Sequence, residues 1–318
     1  MPLKISKKLS QNFQNCNIKK IQSGASKKNI YRLGNNFKTY ILTDFNDDKN
    51  EYKNYIKIYQ LLKEINVSIP KIIEKYDDDL LLISEDFGDL RFDKILKDYP
   101  LKDILNYAVE TLIVLNNSIK FNHTYELPQY NFKIFESEIM ELPKYYFPYI
   151  QLNNADLIEE FFYLWYEDFR NIKFKFNSFV HKDFNINNLI LLPFKKRHLK
   201  CGVIDFQSAF WGEDSWDLFS LLEDSRILFS DDYNEYFVKY FYSRIKNDLS
   251  YEEFISKYYF LSTARQSRLL GRWVKLAKEL NQNWYLKFIS TTLNRLKKSI
   301  NLYDNKNLIK FYNKYIFK

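Results

Sequence analysis

The pattern of apolar and polar positions changes near residue 85. Before that point, short runs rich in β-branched and aromatic residues alternate with turns rich in Gly, Asn and Asp, a pattern typical of β-strands. The predicted strands are Asn17–Gln22, Asn29–Leu33, Phe37–Thr43, Lys71–Tyr76 and Leu80–Ser84. Over Lys49–Ile65, apolar and aromatic residues recur at close to helical spacing. This part is therefore predicted to form a small five-stranded antiparallel sheet with one main helix.

After residue 86 the pattern becomes mainly helical. Apolar residues at helical spacing predict helices over residues 104–119, 156–172, 216–228, 233–246, 251–280, 284–300 and 306–316. The only predicted strands in this part are the short runs Ser178–Val180, Leu189–Leu192 and Cys201–Ile204. We therefore predict an α+β fold with two lobes: an N-terminal lobe over residues 1–86 and a mainly helical C-terminal lobe over residues 87–318.

The three short strands carry the polar residues that indicate a chemistry. Asp183 follows the first strand, Asn188 precedes the second, and Asp205 ends the third. Two carboxylates and one amide on adjacent strand ends are what magnesium-assisted phosphoryl transfer requires. Asp183 is the candidate catalytic base, which orients a substrate hydroxyl and accepts its proton. Asn188 and Asp205 are the candidate magnesium ligands, because that ion prefers hard oxygen donors. Each residue taken alone would be an ordinary turn or strand-end residue, so the interpretation depends on the combination.

Two further residues are expected to support this stretch. His181 is one of only three histidines in the chain, with no second one near it, so a zinc site has no support. It is interpreted as a buried structural residue. Asp217 stands just inside a predicted helix start, and it is interpreted as a brace for the loop around Asp183 or as an acid favoured by the helix dipole.

Nucleotide binding is assigned to two short segments. A small-residue turn between the first two strands is the candidate phosphate-binding segment: Ser23, Gly24, Ala25, Ser26 and Lys27. With its single glycine, it is equally compatible with an ordinary hairpin turn. Glu85 and Asp86 lie in the segment whose backbone would meet the adenine ring.

The assembled pattern resembles the aminoglycoside phosphotransferase/choline kinase superfamily, the small-molecule branch of the protein-kinase-like fold. The matching motif is His181-x-Asp183 with Asn188, followed by Asp205-Phe206-Gln207. Within the superfamily the chain is most similar to the bacterial N-acetylmuramate/N-acetylglucosamine anomeric kinases of peptidoglycan recycling. That similarity includes Asp217–Arg226 and Arg265–Arg272. The resemblance implies ATP and Mg²⁺ as cofactors and transfer of the γ-phosphoryl group to a sugar hydroxyl.

The chain also departs from the superfamily. Most kinases of this fold place a lysine on the third strand to hold the phosphates, whereas this chain has Thr43 near the expected place. The candidates for the missing cation are Lys27, Lys28 and Arg32. Glu51 and Glu64, either of which could pair with such a lysine, have no assigned role. Asp-Phe-Gln in place of Asp-Phe-Gly predicts a metal-binding loop that does not flip.

The acceptor has two interpretations. Arg226, Arg265 and Arg268 are candidates to bind the lactyl carboxylate of an amino sugar, because arginine suits bidentate carboxylate recognition. For each of them taken alone, a surface or interlobe salt bridge is the more ordinary interpretation. Polycationic aminoglycosides would instead need acids, for which Glu223 and Asp224 are available. The alternatives are therefore an aminoglycoside, choline or other amino-alcohol phosphotransferase, or a nucleotide-binding module without catalysis.

The charge, the cysteines and the lengths of the apolar runs limit the kinds of binding partner that the chain is expected to have. The formal charge is +8, but the basic residues are scattered, and the densest short runs are Lys195–Arg197 and Lys297–Lys298. This favours a solvated basic surface over nucleic-acid binding. Two distant cysteines fit a reducing compartment. With no apolar leader and no run long enough for a membrane span, the expectation is a monomeric cytoplasmic protein with a small-molecule substrate and no membrane partner.

Overall fold

A computed structural model describes residues 8–14, 16–21, 28–34, 38–119, 126–227 and 230–317. The chain forms two compact units that interleave in sequence. The first contains the residues up to Leu115 together with Ile186–Ala209, and the second contains Asn116–Asn185 together with the chain from Phe210 onward. A lobe boundary at residue 86 stays a prediction.

The described strands and helices follow in chain order. The strands are β1 Asn17–Ile21, β2 Asn29–Gly34, β3 Thr39–Asp44, β4 Ile72–Tyr76, β5 Leu81–Glu85, β6 Ser178–Val180, β7 Leu189–Leu191, β8 Cys201–Val203 and β9 Phe210–Gly212. The helices are α1 Gln11–Gln14, α2 Lys49–Leu62, α3 Phe92–Ile95, α4 Leu101–Ser118, α5 Phe132–Ile139, α6 Phe147–Tyr149, α7 Ala155–Asn171, α8 Trp216–Leu222, α9 Asp231–Arg244, α10 Tyr251–Glu279, α11 Ile289–Tyr303 and α12 Lys306–Tyr315.

The first unit is built on a five-stranded sheet with the order β1-β2-β3-β5-β4. All four neighbouring pairs are antiparallel. Because side chains alternate between the two faces of a strand, one face carries a continuous apolar set. That set consists of Tyr31, Leu33, Leu42, Leu81 and Ile83, which pack against Leu9 and Phe13. The antiparallel sheet and the α+β class are as predicted.

Helix α2 follows β3 and begins at a side-chain cap. The carboxylate of Asp48 accepts the backbone N–H of Glu51 at 2.9 Å, which satisfies one of the amides left open in the first turn. The helix buries Tyr52, Tyr55 and residues further along the same face. It ends at Leu62, three residues before the predicted end, where a tighter turn takes over as the N–H of Ile65 bonds Leu62.

The second unit is mainly helical around α10, which has 29 residues. Ser250 and Glu253 form a capping box at its start. In the second half of α10, Gly271 lies against the π-helical turn Leu142–Tyr146, and a Cβ built on this glycine would be 2.1 Å from the carbonyl oxygen of Glu141. Only glycine allows this close approach of two backbones. Strands β6 and β9 of this unit pair antiparallel, with Ser178 opposite Gly212.

Several features of the second unit differ from the predictions. Helix α8 ends at Leu222 rather than 228, because the carboxylate of Asp224 accepts the N–H of Arg226 at 3.0 Å and turns the chain. Helix α5 and strand β9 were not predicted. Among the described residues, no helix is both long and apolar enough to cross a membrane.

Candidate active site

The predicted magnesium ligands meet at one end of a short hairpin in the first unit. Strands β7 and β8 pair with Leu189 opposite Val203, so the next pair outward is Asn188 and Ile204. The N–H of Ile204 donates to the carbonyl oxygen of Asn188 at 3.1 Å. Asp205 follows directly. Sequence positions 17 residues apart are thus brought to the same strand end, where an amide and a carboxylate oxygen are available.

Asp205 adopts a backbone conformation that is uncommon outside glycine. Its φ of 66° and ψ of 38° are left-handed, a region that Asp enters more readily than most residues. The next residue, Phe206, is fully buried, and its ring centroid lies 4.7 Å from that of Tyr55 on α2. The apolar ring therefore anchors the turn on α2 and leaves the Asp205 side chain 38% exposed.

The donor set fits a hard cation. Both candidate ligands present oxygen, which suits Mg²⁺. Among the residues that the structure describes, there is no group of three or more His, Cys, Asp or Glu side chains able to hold a metal ion. Two protein oxygens match an ion that is held by one or two protein groups together with substrate phosphates.

A lysine and a glutamine connect Asp205 to α2. The Nζ of Lys28 lies 2.8 Å from Asp205 Oδ1 and 3.1 Å from Glu51 Oε1. The Nε2 of Gln207 donates to the same two acids, at 3.0 Å and 3.1 Å respectively. Two carboxylates from different elements therefore share one ammonium and one amide, all within the first unit.

This network was missed by sequence reasoning. Lys28 was one of three cation candidates, Glu51 had no role, and Gln207 was noted only as a replacement for glycine. The Asp48 cap holds Glu51 in the first turn of α2, and that local pattern could have indicated an oriented acid. The partners of Glu51, however, depend on how the chain packs.

Asp183 lies in the second unit, in a tight turn after β6. Its carbonyl oxygen accepts both the N–H and the side-chain amide of Asn185, at 2.9 Å and 3.0 Å. Lys182 before it has a left-handed φ of 80°. His181 is completely buried, and its ring meets Phe184 edge-on at 5.7 Å between centroids. The backbone around Asp183 is thus fixed on both sides.

Asp217 of α8 holds this turn in place through hydrogen bonds to its backbone. Its carboxylate accepts the backbone N–H of His181 at 2.6 Å and that of Lys182 at 3.1 Å. Burial raises the pKa of Asp217 to about 7; repulsion by Asp183 acts in the same direction, while the two N–H groups and Arg265 oppose it. One buried carboxylate therefore fixes two consecutive peptide groups next to the candidate base.

Two of the three predicted acceptor-binding arginines lie on one face of α10. Arg268 pairs with Glu138 at 2.7 Å, and Tyr130 donates its hydroxyl to the same acid at 3.0 Å. Arg265 lies one turn earlier. Burial lowers its pKa to about 10, and the neighbouring Arg268 acts in the same direction, whereas Asp183 favours the charged form. Both arginines therefore lie within electrostatic range of Asp183 and close to each other.

A small cavity in the second unit connects these residues. Its lining includes Tyr130, Glu138, Trp216, Arg265 and Arg268. The cavity thus brings aromatic side chains and positively charged groups together on the side of α10 that carries Arg265 and Arg268. The cavity has a volume of only about 20 Å³, room for about one water molecule, so it marks the surroundings of the two arginines and is not itself large enough for a sugar.

The third arginine and the nearby acids are engaged with one another. Arg226 binds Asp224 through two contacts, at 2.8 Å and 2.7 Å. Burial works against ionisation of Asp224, but Arg226 still lowers the pKa of that carboxyl group below its usual value. Glu223 is buried and accepts from Arg295, Asn234 and Tyr258. The two acids considered for a polycationic acceptor therefore serve internal contacts.

The predicted nucleotide-binding residues are only partly described. Ser23, Gly24, Ala25, Ser26 and Lys27 lie outside the described residues. Glu85 is the last residue of β5, and its N–H donates to Lys71 at 2.8 Å. The Asp86 carboxylate is buried and pairs with Arg32 at 2.6 Å, and it also accepts the N–H of Gly88 at 2.9 Å. Arg32 additionally pairs with Asp89 at 3.0 Å, so it fastens the segment after β5.

The comparisons with known proteins agree with this picture. A profile described as the phosphotransferase enzyme family matches residues 141–250. An N-acetylmuramate/N-acetylglucosamine kinase of Caulobacter vibrioides is 31% identical over 111 residues, which are 35% of this chain and 30% of that protein. The aligned part thus spans under a third of that relative. A kinase of the same name from Pseudomonas aeruginosa is 21% identical over 273 residues, covering 83% of this chain and 78% of that protein.

A solved structure shares the fold. An ADP-bound aminoglycoside phosphotransferase superposes with a TM-score of 0.62 at 17% identity, covering 95% of this chain and 99% of that one. At this identity the likeness shows the fold alone. Together these findings confirm the predicted resemblance, the predicted kinase-like fold and the predicted enzyme class, a phosphotransferase.

Proposed function

We propose that this protein is an ATP-dependent kinase that transfers the γ-phosphoryl group of ATP to a hydroxyl of an N-acetylated amino sugar. The observation that carries the transfer chemistry is the meeting of Asn188 and Asp205 at one end of the β7–β8 hairpin, since their oxygens match a magnesium ligand set. Asp183, five residues before Asn188, supplies the base.

Each residue has one part in the reaction. Asp183 orients the acceptor hydroxyl and takes its proton as the new O–P bond forms and the bond from the γ-phosphorus to ADP breaks. Asn188 and Asp205 would hold Mg²⁺, which would supply positive charge to offset the negative charge of the phosphate groups. Asp217 and His181 position the turn that carries Asp183.

The charges in the second unit support this acceptor class. Arg265 and Arg268 share one face of α10 near Asp183, and of the two only Arg268 has a close acidic partner within 4.0 Å in the described ion pairs. Glu223 and Asp224 already serve Arg295 and Arg226. This arrangement favours an acceptor with a carboxylate over a polycation. The name shared by both kinase relatives, N-acetylmuramate/N-acetylglucosamine kinase, supports the same choice.

The proposal is tested with an acceptor panel read as acceptor-dependent ADP release. The panel contains N-acetylmuramate, N-acetylglucosamine, an aminoglycoside and choline. We expect turnover with the two amino sugars and none with the methyl glycoside of N-acetylglucosamine, whose anomeric hydroxyl is blocked. Faster turnover with choline or the aminoglycoside would transfer the proposal to that acceptor class, and phosphorylation of the methyl glycoside would exclude the anomeric hydroxyl as the site.

A further inference from the structure

The third strand carries an uncharged residue where the resemblance places a phosphate-holding lysine. Thr43 on β3 lies opposite Ile30 on β2. Opposite residues of an antiparallel pair point to the same face, as do residues two apart on one strand. Lys28 is two residues before Ile30 and directly precedes β2. It is therefore the diagonal neighbour of position 43, a separation of about 7–8 Å that a long side chain can bridge.

The ammonium group of Lys28 contacts residues of α2 and of the turn after β8. The side chain is only 4% exposed, and its Nζ lies 3.1 Å from Glu51 and 2.8 Å from Asp205. The Nζ also lies 5.9 Å from the centroid of the Phe45 ring. Burying an ammonium group is costly unless acids accept from it, and here the carboxylates of Glu51 and Asp205 both accept from the Lys28 ammonium group.

The position of this charge relates it to the phosphates. Asp205 is a proposed magnesium ligand, so its carboxylate is expected to lie close to the nucleotide phosphates. The Lys28 ammonium group contacts the same carboxylate, so it lies next to the expected position of the phosphates. Glu51 on α2 also contacts this ammonium group, and Gln207 donates hydrogen bonds to both Glu51 and Asp205. Arg32, the other described candidate, serves Asp86 and Asp89.

We infer that Lys28 is the cation that holds the nucleotide phosphates in this chain, supplied by the start of the second strand in place of a third-strand lysine, and that Glu51 is its positioning residue. The inference rests on the proposed function, since it assigns a residue to the same nucleotide site.

The test measures nucleotide affinity apart from turnover. Calorimetry in the presence of Mg²⁺ compares ATP with adenosine for the wild-type protein, for Lys28→Met and for Lys53→Met, a control at an exposed position of the same helix as Glu51. Lys28→Met should weaken ATP binding about 10- to 100-fold, the worth of one charged hydrogen bond, and leave adenosine binding unchanged. Lys53→Met should change neither. Unchanged ATP affinity in Lys28→Met would overturn the inference, whatever its melting temperature.

Two further variants separate a phosphate-binding lysine from a merely structural one. Lys28→Gln keeps a hydrogen-bond donor while removing the charge, so it serves if Lys28→Met does not fold, and it should show the same loss of ATP affinity. Moving the lysine, as Lys28→Met with Thr43→Lys, should restore ATP affinity at least in part. A fully restored melting temperature without any gain in ATP affinity would mark Lys28 as structural. These binding results test the role of Lys28 even if no acceptor is phosphorylated. Failure to phosphorylate any acceptor would count against the proposed function alone.

Discussion

Asp217 accepts the backbone N–H of His181 at 2.6 Å, so a buried acid on α8 fixes the peptide two residues before the proposed catalytic base. Burial raises the pKa of Asp217 to about 7, above its usual value of 3.8. In the unfolded chain the group returns to that usual value. Between these two pKa values the folded protein therefore holds a proton that the unfolded chain has lost.

This difference predicts a pH dependence of stability. Because the folded-state pKa is the higher one, the contribution of Asp217 is fully present below about pH 4 and is lost as pH rises through about 7. The slope of the free energy of unfolding is at most about 1.4 kcal/mol per pH unit for one proton. Asp217→Asn should abolish this contribution. Urea unfolding of both proteins from pH 4 to 8 measures it, and a stability difference between them that does not vary with pH would contradict the assignment.

Replacing the base should affect turnover and leave binding intact. In Asp183→Asn the amide can still accept a hydrogen bond from the acceptor hydroxyl but cannot take its proton, so kcat should fall about 10²- to 10⁴-fold. ATP affinity by calorimetry should stay at the wild-type value. Asp232→Asn, an exposed acid of the same unit, is the control and should leave kcat unchanged. Turnover of Asp183→Asn at the wild-type rate would remove Asp183 from the mechanism.

Loss of the carboxylate at 205 should remove the response to magnesium. Asp205→Ala should show no magnesium-dependent phosphoryl transfer, because the ion loses its only charged protein ligand in the proposed set. Titration of activity with Mg²⁺ measures the effect. Asn188→Ala, which loses a neutral ligand, should need a higher Mg²⁺ concentration and retain some activity. A fully active Asp205→Ala variant would exclude this carboxylate as a ligand.

The arginines of α10 should distinguish a charged from a neutral amino sugar. Arg265→Gln should raise KM for N-acetylmuramate about 10- to 100-fold, because a hydrogen bond between charged groups is lost, and leave KM for N-acetylglucosamine nearly unchanged. Arg170→Gln, at an exposed position of α7, should affect neither substrate. An equal rise of KM for both sugars would show that Arg265 does not read the carboxylate.

The close approach at Gly271 predicts a large loss of stability on adding one carbon. A Cβ at this position would lie 2.1 Å from the carbonyl oxygen and 2.3 Å from the carbonyl carbon of Glu141. Because both partners are backbone, the helix and the turn must separate, which should lower the free energy of unfolding by about 2–3 kcal/mol. Gly34→Ala, where the nearest atom would be an ordinary 3.4 Å away, should cost less than about 1 kcal/mol. Equal urea midpoints for the two variants would contradict this packing.

The local patterns predicted the elements better than their ends. Short runs rich in β-branched and aromatic residues, separated by turns, predicted the sheet, whose buried face packs against Leu9 and Phe13. The turn Leu142–Tyr146 was not predicted, since Pro143 and Pro148 interrupt helical spacing there. The end of α8 was misplaced because it depends on a side-chain contact of Asp224.

The candidate site was likewise only partly predictable from local sequence patterns. The residues Asp183, Asn188 and Asp205 share one stretch of sequence, so their spacing alone indicated a chemistry. Lys28 and Asp205 are 177 positions apart, and their contact depends on how β2, α2 and the turn after β8 pack within the first unit. No local pattern encodes such a contact. The same holds for the pair of Arg268 with Glu138.

Gln207, which follows Phe206, has a consequence for how the activity of the protein would be regulated. Gln207 ties Asp205 to Glu51 by two hydrogen bonds, and Phe206 is buried against Tyr55. If Asp205 binds the metal as proposed, this acid is already held in place before a nucleotide binds, so its ordering would not depend on a covalent modification. The rate at which such an enzyme works would then be set by the concentrations of its two substrates and by how much of the protein the cell makes.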